Sequence, residues 1–238
     1  MTGKISILYD TIRLEEKLLI ESAKKNEIAI DMVDCKKLFL DLNEKNCLEG
    51  PVLQRCVSYY RNLHSTAALE GQGAKVVNCL NTGIFAGNKL FTHMLLQKAG
   101  VPTPDATVAF SKDSALEALK KHGFPKIIKP TVGSWGRMVS KLNDMDAAEG
   151  IIEGREAMYP IHHIHFLEEF VQRPPRDIRV IVIGDNVAAG IYRNSGDGNW
   201  KTIHILVALQ KHVKLLMNLK TFVLKQKMQC LEILLELI

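Results

Sequence analysis

Short apolar runs alternate with charge-bearing helical stretches along the first part of the chain. Lys4 to Leu8 reads as a buried strand that ends in a loop at Tyr9-Asp10. From Leu14 to Lys25 leucines and charges recur at helical spacing, which predicts a helix. Ile28 to Val33 and Pro51 to Val57 are expected as strands, Tyr60 to Glu70 as a helix, and Lys75 to Asn78 as a short fourth strand. Such alternation builds a parallel α/β sheet, and this unit is expected to end near Asn81.

The pattern then changes. A helix is expected from Asn88 to Lys98; Gly100 closes it, and Pro102 and Pro104 forbid its continuation. Thr107 to Phe110 reads as a strand, Asp113 to His122 as a helix with Ala115, Leu116 and Leu119 inward, and Lys126 to Lys129 as a strand. A glycine-bearing loop follows at Thr131 to Arg137, then a strand at Met138 to Lys141 and a helix near Asp144 to Glu153. Phe166 to Val171 and Arg179 to Ile183 are strands, and Val187 to Tyr192 pairs with the latter through a Gly184-Asp185-Asn186 turn. The second part is therefore α+β rather than doubly wound. From Ile203 to Ile238 the chain is Leu/Ile/Val/Lys-rich with roughly helical spacing, as in a long amphipathic helix or a helix for a partner or membrane surface.

Composition narrows the class. Apolar residues make up 47% and charged residues 24% of 238, ordinary globular values that exclude a disordered or collagen-like chain. No apolar run has a spanning helix's length and no secretory leader is visible, so no membrane role is expected. Five cysteines, an odd number without C-x-x-C, suit a reduced cytoplasm. The net charge of +5 resides largely in residues 201–238, where six lysines face two glutamates; residues 1–200 carry +1. A basic stripe with interleaved aromatics is absent, so nucleic acid is not an expected partner.

Four segments are candidates for chemistry. In Lys129-Pro130-Thr131-Val132-Gly133-Ser134-Trp135-Gly136-Arg137 a strand-end lysine meets a two-glycine loop with a terminal arginine. Glycines let backbone N–H groups close on phosphate oxygens, and Lys and Arg supply countercharge. The spacing matches neither common nucleotide loop, and on spacing alone a structural hairpin loop with a surface lysine is an equal reading. Glu168-Glu169-Phe170-Val171 at a strand end suits a ribose and a base, or equally an edge strand with a solvated acidic tip. Arg13, Arg176, Arg179 and Arg193 suit carboxylate or phosphate, or surface ion pairs. His162, His163 and His165 lack a Cys or acidic partner at ligand spacing, so a mobile polar loop is favoured over zinc.

Taken in order, Ile7-Leu8-Tyr9-Asp10 with Arg13, Arg55-Cys56-Val57-Ser58, Gly87-Asn88-Lys89, Lys98 to Pro104, Lys129-Pro130 with Gly133 to Arg137, Glu169-Phe170-Val171, Arg176-Asp177-Ile178-Arg179-Val180 and Ile191-Tyr192-Arg193 resemble the ATP-grasp ligases. Within them the chain is similar to the LysX branch beside RimK; Arg55 to Ser58 favours LysX. The resemblance covers residues 4 to 202. It implies an α/β and α+β architecture: a preATP-grasp domain over 1–85, an ATP-grasp domain over 86–202 with its central lid and the start of the C-terminal subdomain, and an atypical tail over 203–238. It implies an ATP-dependent ligase that joins α-aminoadipate to the C-terminal glutamate of the small acidic carrier LysW. Alternatives are a RimK-like ligase, a glutamate–LysW ligase, or a remnant that binds without turnover; a homo-oligomer is left open. By the same resemblance Lys89 and Lys129 hold ATP phosphates, and Gly133, Ser134, Trp135, Gly136, Arg137, Met138 and Val139 form the loop closing over them. Glu168, Glu169, Phe170 and Val171 line the adenine, with Glu169, Arg176 and Asp177 toward the ribose side of the nucleotide. Arg179 and Arg193 bind the reacting carboxylate and acyl phosphate, and Asp10 and Arg13 lie where the first domain faces substrate. Mg²⁺ is implied by the family, but its Asp, Glu and Asn ligands have no counterpart here, so no metal ligand is assigned.

The tail has one simple account. All 16 glycines and 8 prolines precede residue 201, and aspartate also stops there. Read one base upstream from codon 203, the genetic code permits Asn-Thr-His-x-Gly-Gly-Thr-Ala-Glu, which is the family's continuation. Cys230 to Ile238 likewise permit Gly-Asp-Ile-Ile-Gly-Ile-Asp. A one-base frameshift near codon 202 is therefore expected. Sequencing the gene through this region checks it: an open frame lacking Gly-Gly in every register ends the idea.

Overall fold

The computed structural model describes residues 4–45, 48–183, 186–195 and 200. The tail helix and positions 184–185 of the hairpin turn lie outside the described residues. The chain divides into two compact units, 1–87 and 88–238.

In the first unit, β1 (Ile5–Tyr9) lies between β2 (Ile30–Asp34) and β3 (Val52–Gln54), and β4 (Val76–Val77) pairs with β3, all parallel. Leu8, Val52, Cys56, Leu69 and Val76 form the buried cluster. Helix α1 (Leu14–Lys25) keeps its expected bounds; Glu15 and Glu16 sit in its first turn and Lys24 and Lys25 in its last, matching the helix dipole. Helix α2 (Tyr59–Gly71) begins on the Ser58 cap, whose side chain accepts from Arg61 N. Because the strands are parallel, Asp10, Arg13 and Arg55 to Ser58 all follow the same edge of the sheet. The third strand is shorter than expected for a local reason: the amides of Val57 and Ser58 donate to the Asp10 carboxylate at 2.8 and 3.0 Å, not to a neighbouring strand. A further difference is α3 (Leu80–Gly87), which extends this unit beyond Asn81.

In the second unit, β5 (Ala106–Ala109), β8 (His165–Glu169), β6 (Lys126–Lys129) and β7 (Ser140–Leu142) form an antiparallel sheet in the order β5-β8-β6-β7. Helices α5 (Lys112–His122) and α6 (Met145–Glu156) belong to its core, which holds Ala115, Leu119, Ile128, Leu142, Ala148, Ile152 and Leu167. Asp144 caps α6 by accepting from Ala147 N at 2.8 Å. The strand expected at Met138 starts only at Ser140, since Met138 adopts φ 58, outside the extended region. Helix α4 (Lys89–Lys98) starts on Asn88, which accepts from Leu90 N and Phe91 N. Strands β9 (Arg176–Ile183) and β10 (Asn186–Asn194) form an antiparallel hairpin. Among the described residues no helix is long and apolar enough to cross a membrane.

Candidate functional site

The centre of the candidate site is the junction of α4, β6 and the glycine loop. Lys129 is the last residue of β6, and the turn after it brings Thr131 back to the start of α4, where Lys89 N donates to Thr131 O at 2.8 Å. An isolated bridge between Asn88 and Val132 fixes the same approach. The Lys89 ammonium donates to the Gly133 carbonyl at 2.6 Å. One strand over, Lys129 pairs with the Glu168 carboxylate on β8; the antiparallel register sets Lys129 opposite Phe166 and leaves Glu168 diagonally across from it on the same face. Burial, and then the neighbouring Lys129 charge, hold the Lys89 ammonium below the usual lysine range, with Glu168 acting the other way.

The loop itself departs from ordinary backbone. Gly133 has φ 146 and Gly136 φ 60, and Trp135 and Met138 also lie at positive φ. Ser134 and Gly136 accept from Arg137 N and Val139 N at 3.3 Å, so the loop folds on itself in two short turns. Trp135 is half exposed. The Thr131 hydroxyl is buried without a partner among the described residues. Two lysines, an orphaned hydroxyl and a glycine loop beside one helix N-terminus are a donor set for a phosphate chain, so the residues present fit the nucleotide expectation.

Strands β9 and β10 carry the arginines. Their register sets Arg193 opposite Asp177 and Ile191 opposite Arg179, so Asp177, Arg179 and Arg193 share one face. Arg193 and Asp177 form a two-pronged ion pair, both contacts at 2.7 Å. Asp177 thus holds an arginine, which narrows its freedom to serve a ribose. The Arg179 side chain makes no hydrogen bond or ion pair among the described residues. Arg176 lies on the opposite face with its guanidinium 4.6 Å from the Tyr192 ring. Of the adenine candidates, Glu168 is taken by Lys129, while Glu169 and Val171 are exposed. Phe170 sits under the Lys141 ammonium at 3.9 Å and edge-on to Trp200.

In the first unit, Asp10 is buried, and its carboxylate holds the start of α2 and meets Arg61 at 3.5 Å. Burial works against its charge, but the Val57 and Ser58 amides and Arg61 hold its pKa below the ordinary aspartate value. Arg13 is bonded to the buried Glu16 through Nε and Nη2, and Arg55 reaches the same carboxylate at 2.9 Å. Asp10 and Arg13 are therefore built into the edge of the sheet. Cys56 is buried and burial pushes its thiol pKa up, the opposite of a nucleophile's need. Of the histidines, His165 lies 2.7 Å from Glu156 and His163 contacts the Met158 carbonyl. No group of three or more His, Cys, Asp or Glu among the described residues is arranged to hold a metal ion.

Asn88, the cap joining α4 to the loop, and Thr131 stand in segments singled out from the sequence but with no role assigned there, and Arg155, whose guanidinium donates to the Met138 carbonyl, stands in none. An Asn before a helical run is a visible cap signal; the other two have none.

Comparison with known proteins adds a lineage. A LysX preATP-grasp domain matches residues 5–84 and a RimK-like ATP-grasp domain residues 86–232, the latter running beyond residue 202. The alpha-aminoadipate–LysW ligase LysX of Sulfurisphaera tokodaii is 37% identical over 94% of this chain and 80% of its own length. The glutamate–LysW ligase ArgX of Sulfolobus acidocaldarius is 33% identical over 93% of this chain and 79% of its own. Among solved structures, a RimK domain ATP-grasp protein from Sphaerobacter thermophilus superposes with a TM-score of 0.69 at 25% identity, covering 82% of this chain and 76% of that one.

Proposed function

The chain belongs to the RimK-like ATP-grasp family and carries a LysX preATP-grasp domain ahead of its ATP-grasp domain; from that premise we propose that this ATP-dependent ligase joins α-aminoadipate to the C-terminal glutamate of a small acidic LysW carrier, in lysine biosynthesis. The observation that supports the reading is the pair of neighbouring ammonium groups at the glycine loop: Lys89 donates to the Gly133 carbonyl, and Lys129, at the end of the strand that enters the loop, pairs with Glu168 close enough for its charge to act on Lys89. ATP, when bound, supplies the γ-phosphoryl that converts a carboxylate into an acyl phosphate open to attack by an amine.

The protein contributes position and charge rather than a nucleophile. Lys89 and Lys129 hold the phosphates, and Lys129 leaves Glu168 to do so. The loop from Gly133 to Val139 covers them and excludes water. Phe170 and Val171 offer an apolar edge for the base. Arg179, with no protein partner among the described residues, is the arginine available to a developing anion. Arg193 is held by Asp177 beside it and presents its remaining N–H groups to the same charge.

Aminoadipate is supported by Arg55-Cys56-Val57-Ser58, the LysX-like segment. Glutamate is the second reading, because glutamate–LysW ligases match over much the same share of the chain. The test is mass spectrometry of LysW incubated with the protein, Mg-ATP and either amino acid. LysW should gain one aminoadipoyl residue, at least about tenfold faster than a glutamyl one, a discrimination within reach of a single pocket contact. Faster glutamate addition favours the second reading, and nucleotide binding without LysW modification identifies a non-catalytic remnant. Since residues 1–200 carry only +1, recognition of the acidic carrier rests on a local patch, and the complex should weaken with salt.

A further inference from the structure

Arg155 is an arginine where a core residue is expected. It lies on α6 with 3% of its surface exposed, and no acidic side chain pairs with it among the described residues. A guanidinium removed from water without a counter-anion is costly, so its hydrogen bonds matter. Glu156, next in sequence, is engaged with His165. The Arg155 Nη2 donates instead to the Met138 carbonyl, and Nη1 is buried with no partner among the described residues. Burial lowers its pKa from the ordinary arginine value.

The acceptor lies at a telling place. Trp135, Gly136 and Met138 have φ 61, 60 and 58, so left-handed backbone is concentrated just before the chain enters β7. For non-glycine residues this conformation is unfavourable by roughly 1 kcal/mol or more each and persists only where surroundings impose it. At the other end of the loop, the Lys89 ammonium holds the Gly133 carbonyl. The loop is thus gripped at entry and exit by two cations that bind carbonyls rather than acids.

We propose that Arg155 is a positioning residue for the glycine loop: its buried guanidinium fixes the loop's exit at the Met138 carbonyl, so that residues 134–137 move between two held ends when they cover nucleotide phosphates. The unpaired Nη1 is the donor available to a second loop carbonyl in the covered state. The anchoring half rests on the geometry alone; the covering half rests on the nucleotide reading of the site.

Limited trypsin digestion of the full chain separates the two, because Arg137 places a cleavage site inside the loop. Without nucleotide, Arg155→Met should speed cleavage after Arg137 about tenfold relative to cleavage elsewhere, and Arg155→Lys, which keeps one donor, should restore most of the protection. With ATP, the unchanged chain should gain protection at Arg137, and Arg155→Met should raise the KM for ATP while leaving that for the amino acid in place. Unchanged cleavage at Arg137, or uniform acceleration at every site with a lowered melting temperature, overturns the proposal. If Arg155→Met does not fold, Arg155→Gln, too short to reach the Met138 carbonyl, reads the same contact, and cleavage at Arg137 equal to that of the unchanged chain overturns the proposal. Loss of ATP protection in the unchanged chain, with Arg155→Met still exposing Arg137, supports the anchor and removes the nucleotide reading.

Discussion

Lys129→Ala should weaken ATP binding by at least about a hundredfold, more than the loss of one phosphate contact. The reason lies in its partner. Lys129 is paired with Glu168, and Glu168 is largely shielded from solvent on β8. Removing the ammonium deletes a countercharge and also uncovers a carboxylate facing the place where phosphate is to bind. Like charges at short range in a partly dry site repel strongly. The double variant Lys129→Ala/Glu168→Gln should therefore recover part of the affinity, although it has fewer charged groups than either single variant. Calorimetry with ATP reads both. Unchanged affinity in Lys129→Ala removes the lysine from the site; no recovery in the double variant removes Glu168 from the account.

That prediction joins a legible residue to one whose role the sequence concealed. A lysine ending an apolar strand before a two-glycine loop is visible in one dimension, and so is the α1 helix, whose acids and lysines sit at the ends favoured by the dipole. Helix α3 is the opposite case. Its segment, Leu80 to Gly87, contains two glycines, which in sequence mark turns. In the fold they permit contact: a Cβ on Gly83 would lie 2.9 Å from Asn62 Oδ1 and Leu63, and one on Gly87 2.3 Å from the Tyr59 ring. Helix α3 packs on α2 through its glycines, and tertiary contact outweighs local propensity. Arg155 illustrates the same limit. It stands in Glu-Gly-Arg-Glu, a string that reads as a solvated helix end, and the fold buries it against the Met138 carbonyl. Asp10 and Arg13 were legible as polar residues at a sheet edge, and the Arg13–Glu16 contact is local, but the bonds of Ser58 to Asp10 and of Arg55 to Glu16 depend on strands meeting in space.

Glu16→Ala should cost the first unit about 3–5 kcal/mol, because it removes a buried acceptor shared by two arginines. Glu16 is fully buried on α1 and accepts from Arg13 N and Nη2 at 2.9 Å, from Arg13 Nε at 3.1 Å and from Arg55 Nε at 2.9 Å. Burial alone would raise its pKa; the hydrogen bonds from Arg13, followed by Arg55, overcome this and bring it from 4.5 to about 2. The sign of the pH dependence follows. A carboxyl whose pKa is depressed by folding binds protons more weakly in the native state. Its contribution is present above about 4.5 and declines as the pH falls toward about 2. The shift corresponds to roughly 3 kcal/mol at about 1.4 kcal/mol per pKa unit. Glu16→Gln keeps the shape and part of the bonding but cannot ionise. Urea melts from pH 7 down to pH 2 should show the unchanged chain losing stability through this window and Glu16→Gln losing about 3 kcal/mol less of it. Asp10, also depressed, has the same sign, so a residual slope should remain in the variant. Parallel profiles for the two proteins would show that Glu16 is not the group that links acid to the unfolding of this unit.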